Sequence, residues 1–112
     1  VTPHIARSQI AASTAAAGST AGDAGVLVGG CTHYPVSAAD DTKGVIMHQR
    51  DAVTGAVVEI GNLVSNKILK VYPPTGGTIN GAAANAAFST ASGKGVTLRC
   101  IAGGVGGTWA SV

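Results

Sequence analysis

From Val26 to Val112 the chain never runs far before Gly, Pro, Asn or Asp interrupts it, and the runs between are rich in Val, Ile and Thr. That punctuation rules out a long helical period and predicts an all-β domain of short strands. The runs cover 26–28, 32–36, 44–49, 56–60, 68–72, 78–80, 86–90, 95–102 and 108–112. Alternation sets their faces: Leu69 and Val71 oppose Ile68, Lys70 and Tyr72, while Val96, Leu98 and Cys100 oppose Thr97, Arg99 and Ile101. Pro73 and Pro74 cannot donate to a ladder, so Thr75-Gly76-Gly77 reads as a reversal of the chain. Asn80-Gly81 repeats the signal, since both residues tolerate positive φ. The expected architecture is a small β-sandwich or barrel-like domain of short antiparallel strands over 26–112, with no regular internal repeat.

Residues 1–25 differ in texture and read as a flexible, extended Ala/Ser/Gly-rich arm. No apolar side chain larger than Ala follows Ile10 in this stretch, and Ser13, Thr14, Gly18 and Gly22 argue against a helix. Arms of this kind gain order by lying on a neighbour.

The core of such a domain is thin. The hydrophobic fraction of 46% overstates it, because 20 of those residues are Ala and only one Phe, one Trp and two Tyr supply large rings. The 17 Gly add backbone entropy that folding must overcome, so contacts with other subunits or a partner are expected to supply part of the stability. Charged residues make up 11% of the chain and the net charge is +2, with Lys and Arg scattered along it. Nucleic-acid binding wants phosphate-neutralising groups gathered on one face, often with aromatic platforms, and neither is present. Low charge fits a chain that works inside an assembly.

No run approaches the roughly 20 apolar residues that cross a bilayer, and the amino end lacks the basic-then-apolar order of a secretory signal. No membrane partner is expected, and synthesis in the cytoplasm is. Cys31 and Cys100 could form one disulfide, but Cys100 alternates with Val96 and Leu98 and reads as a small buried hydrophobe.

Candidate chemistry is sparse. Cys31, His33, His48 and Asp40 or Asp41 could be imagined around a metal, yet the Cys-x-His pair stands alone, without the close ligand pairs of structural zinc sites. Asp40-Asp41 reads as the start of a turn. The glycines at 103, 104, 106 and 107 follow a strand, but Thr108 to Val112 leaves no room for a phosphate-binding helix. Ser92-Gly93-Lys94-Gly95 lacks the Walker spacing, and no nucleophile elbow accompanies a Ser, His and acid set. The expectation is no enzyme, no catalytic residue, no metal and no cofactor. Trp109 reads as a cap on the β core, with exposure to a partner or sugar as the alternative.

At Val71-Tyr72-Pro73-Pro74-Thr75-Gly76-Gly77-Thr78-Ile79-Asn80-Gly81, followed by Ala84-Asn85-Ala86-Ala87, Gly93-Lys94-Gly95 and Thr108-Trp109, the chain resembles a β module of tailed-bacteriophage virion proteins. In that module a VYP-G-INg segment precedes an Ala-rich strand, a glycine turn, a further strand and a terminal Trp. The resemblance covers about the last 45 residues, extends loosely to 44–47 and 57–62, and leaves the first 40 uncovered. It implies a structural role: a capsid decoration (cement) protein on the outer surface of the major capsid shell, acting as a trimer and stabilising the head. The expected partners are the major capsid protein and further copies of this chain, and the expected location is the virion surface. Ile5, Arg7, Ile10, Lys70, Tyr72, Arg99 and Trp109 are the candidate capsid or subunit contacts. The alternative is a head or tail fibre or knob module binding a host glycan or surface protein, with Trp109, Tyr72 or Tyr34 as stacking platforms.

Overall fold

The computed structural model describes residues 10–112. Ile5, Arg7, His4 and the first nine residues of the expected arm lie outside the described residues. Ten short strands follow in order: β1 (Thr14–Ala15), β2 (Gly25–Val26), β3 (His33–Ala38), β4 (Gly44–Ile46), β5 (Val57–Asn62), β6 (Leu69–Tyr72), β7 (Thr78–Ile79), β8 (Phe88–Thr90), β9 (Gly95–Ala102) and β10 (Thr108–Ser111). A single 3-10 turn at Gln49–Asp51 interrupts the path from β4 to β5. Each of the nine runs read from the sequence carries a strand, and β1 adds a tenth.

The chain is all-β, but the strands are not arranged as a sandwich or barrel of antiparallel neighbours. One sheet runs β1-β3-β5-β9-β10-β7 and the other β2-β4-β6-β8. Successive strands up to β6 alternate between the two sheets, and β1, β3 and β5 pair in parallel, as do β2, β4 and β6. Each strand of the first sheet, with the strand of the second that follows it, is therefore one rung of a short β-solenoid. The correction has a physical cause. A glycine or proline corner can carry the chain across to the facing sheet as readily as it can reverse it within one, and local alternation is the same in both cases. Asn80 and Gly81 take φ of +55° and +75°, as the dipeptide favours, yet β7 pairs in parallel with β10 and not with β8.

Antiparallel pairing between the named strands gathers at the closing end. There β9 runs against β5, β10 against β9, and β8 against β6. At the other end β1 and β2 are the outermost strands of their sheets among the described residues. The described part of the 1–25 segment is built into this end: β1 pairs with β3, Ala17 and Gly44 exchange backbone hydrogen bonds, and β2 spans the position where the arm was expected to stop. Ala16 is buried there and joins the core; in a narrow first rung its methyl group fills the space that Val or Leu fills further along.

Inward residues of the two sheets form one core. Tyr34, Val36, Val58, Ile60, Val96, Leu98, Cys100, Ile79 and Trp109 come from the first sheet, and Leu27, Val45, Leu69 and Val71 from the second. Burial of each larger aliphatic side chain contributes about 1.5–3 kcal/mol. The corners between sheets are closed by carboxylates. Asp23 Oδ1 accepts from the N–H groups of Ser19 and Thr20, and Asp40 Oδ1 from those of Thr42 and Lys43. Backbone and hydroxyl donors at Thr20 hold the Asp23 carboxyl below its ordinary pKa, and the Thr42 hydroxyl and N–H do the same for Asp40. Asp41 (φ +75°) ties neighbouring rungs, accepting from the Ile68 N–H at 2.7 Å and pairing with Lys67 at 3.6 Å.

Candidate functional site

Two features stand out once the solenoid is assembled: a buried polar cluster that joins its connections, and an apolar surface beside its open end. Gly29 and Gly30, at φ of +77° and +79°, turn the chain between β2 and β3 toward the 3-10 turn. The Gly30 N–H then donates to Asp51 Oδ1 at 2.9 Å, the Tyr34 hydroxyl donates to Asp51 Oδ2 at 2.9 Å, and the Cys31 N–H donates to the Tyr34 hydroxyl oxygen at 3.0 Å. Tyr34 is 1% exposed and Asp51 9%. The cluster is a latch between two connections, with both carboxylate oxygens occupied.

Burial first, and the Asp51 carboxylate next, push the Tyr34 hydroxyl up to about 12 from its usual 10.0. The folded state therefore holds this proton after an unfolded tyrosine has released it. The contribution of this group is complete below pH 10, is lost as pH rises from 10 to 12, and is gone above, a loss on the order of 3 kcal/mol. Urea midpoints measured between pH 9 and 12 are expected to show this decline, and Tyr34→Phe to remove that part of it. An unchanged slope in the Phe variant would refute the assignment.

The remaining titratable side chains are dispersed. His33 Nδ1 lies 3.7 Å from Glu59 Oε1 on the outer face of the first sheet. His48 Nδ1 accepts from the Arg50 N–H. Cys31 and Cys100 are both free thiols, and burial raises the Cys100 pKa. Among the described residues no three His, Cys, Asp or Glu side chains gather where they could hold a metal ion. Nor, among these residues, is any helix long and apolar enough to cross a membrane.

The candidate contact residues do not form one patch. Lys70 stands on the outer face of the second sheet, between Gly44 and Ser89. Arg99 stands on the outer face of the first, between Val57 and Ala110. These faces look in opposite directions, so a flat partner reaches one or the other. Tyr72 is covered, and its hydroxyl donates to the Ser19 carbonyl. Trp109 is buried and donates its indole N–H to the Gly106 carbonyl at 2.8 Å. Ile10 is exposed, beside its bridge to His33. Tyr34, Tyr72 and Trp109 are all buried, so none offers a face on which a sugar could stack.

The surface the sequence did not single out lies beside β2. An open groove of ≈ 330 Å³ runs along the outer face of the second sheet, lined by Ala24, Val26, Ile46, Met47, His48 and Thr75 among others. Its polar groups are largely engaged: His48 as above, and Gln49 by bonds to the Gly104 carbonyl and the Gly106 N–H. Val26 and Val28 project beside it at 64% and 61% exposure. Alternation through Gly25-Val26-Leu27-Val28 could have placed these two valines outside and Leu27 inside, but only once β2 was known to be an edge. Comparison with protein families, curated proteins and solved structures finds no match to this chain.

Proposed function

We propose that this chain is a structural protein of a tailed-bacteriophage virion: a decoration or cement protein that binds the outer surface of the major capsid shell as a trimer and stabilises the head. The observation that supports an assembly role is the asymmetry of the solenoid. Parallel rungs give way to antiparallel pairing at one end, while at the other the outermost strands of the described residues are β1 and β2, with Val26 and Val28 exposed along the latter. Edge strands offer main-chain hydrogen bonds, and adjacent grooves select side chains, which is how extended protein surfaces are commonly joined. The phage assignment itself rests on the resemblance of residues 71–112, and the site of action that follows is the capsid surface of the assembled virion, after synthesis in the host cytoplasm.

Purified protein added to undecorated phage heads is expected to co-sediment with them at a saturating ratio and to raise the temperature at which they rupture. Heads that neither retain the protein nor gain heat resistance would refute the decoration role. Recovery of the chain in purified tails or fibres instead would favour the fibre alternative.

A further inference from the structure

We propose that the β2 edge pairs with the β2 edge of a second copy of this chain, in antiparallel register about a twofold axis through Val26. The hydrogen-bond pattern defines the edge. Val26 is the parallel partner of Ile46, and the Ile46 carbonyl accepts from the Leu27 N–H. In a parallel ladder this arrangement turns the N–H and C=O of Val26 away from β4, toward the side where no strand of the described residues lies. Natural edges are usually blunted by Lys, Pro, an inward charge or a covering loop. Here the sequence from Ala24 to Ala39 contains no Asp, Glu, Lys or Arg, and Val26 and Val28 stand exposed along it.

The second copy is the occupant that these features fit. In an antiparallel pair, directly opposed residues can exchange both N–H···O bonds, so an axis through Val26 satisfies both backbone groups of Val26 with the same residue of the other copy. The same axis sets Val28 opposite Ala24, and the exposed valines of each copy extend the apolar row of the other. Charges agree with that register. The axis brings the Asp23 end of each strand beside the Gly29–Gly30 end of the other, and Arg50 lies against those two glycines. Opposite charges meet there, and an isologous contact uses each pairing twice. The contact is independent of the capsid reading; where copies are also grouped in threes, it joins one group to the next.

Sedimentation of the whole chain over a range of concentrations tests this. Wild type is expected to reach a two-copy mass, or an even multiple of it. Val26→Lys, which sets like charges directly opposite each other, and Arg50→Glu, which does so at the strand ends, are each expected to raise the dissociation constant at least about tenfold. Ile101→Lys, on the outer face of the other sheet, should leave it unchanged. If Val26→Lys fails to retain its β circular dichroism, Val28→Lys and Arg50→Glu decide. A wild type that stays monomeric up to about 1 mM, a trimer alone, or folded edge variants that associate as wild type does would overturn the proposal.

Discussion

Trp109→Ala is expected to destabilise the protein by about 3–5 kcal/mol, a large part of the stability that so small a domain can have. Trp109 is 1% exposed and lies in register between Cys100 of β9 and Ile79 of β7. Removing it empties the closing end of the core, where backbone from three strands meets and cannot collapse inward. It also strips the Gly106 carbonyl of the indole N–H. Trp109→Phe keeps most of the apolar area and loses the hydrogen bond, so its cost should be nearer about 1–2 kcal/mol. Urea denaturation followed by far-ultraviolet circular dichroism measures both. An alanine variant within about 1 kcal/mol of wild type would show that the core does not depend on this ring.

Asn62→Ala is expected to cost about 2–4 kcal/mol for a different reason. Asn62 occupies an inward position at the end of β5 and is 1% exposed. Its amide donates to the Lys67 carbonyl at 2.7 Å and the Thr90 carbonyl at 3.3 Å, and its Oδ1 accepts from the Val64 N–H at 3.1 Å. One side chain thus fastens the corner after β5 to β8 in the facing sheet. Alanine leaves several of these groups buried without partners. Asn62→Asp should also be destabilising, since the acid cannot donate to the two carbonyls when ionised. Equal urea midpoints for wild type and alanine would contradict this account.

The strands were legible because their signal is local: alternation at 69–72 and 95–102 placed the right side chains inside, and the turn residues at 40–41, 80–81 and 93 sit in turns. The pairing of the strands was not legible. β3 and β5 are partners across a connection that visits the other sheet, and nothing in either sequence distinguishes that partner from a hairpin neighbour. β1 escaped notice because Thr14-Ala15 has no large apolar residue; its inward space is filled by alanine. Scarcity of aromatics did point Trp109 toward the core. Asn62 could have been found as the polar member of the inward series Val58, Ile60, Asn62, and Asp51 could not, since its partners Gly30 and Tyr34 are brought to it by the connections alone.

The order of strands in the first sheet also governs the order of events during synthesis. β1 to β6 can stack rung upon rung as they emerge, each meeting a partner already made. β5 must wait for β9 to cover its far edge, and among the described residues β7 has no partner in the sheet except β10. A growing chain therefore carries an uncovered sheet margin until β10 arrives, and the interval before that pairing is when it is most exposed to sticking to its siblings.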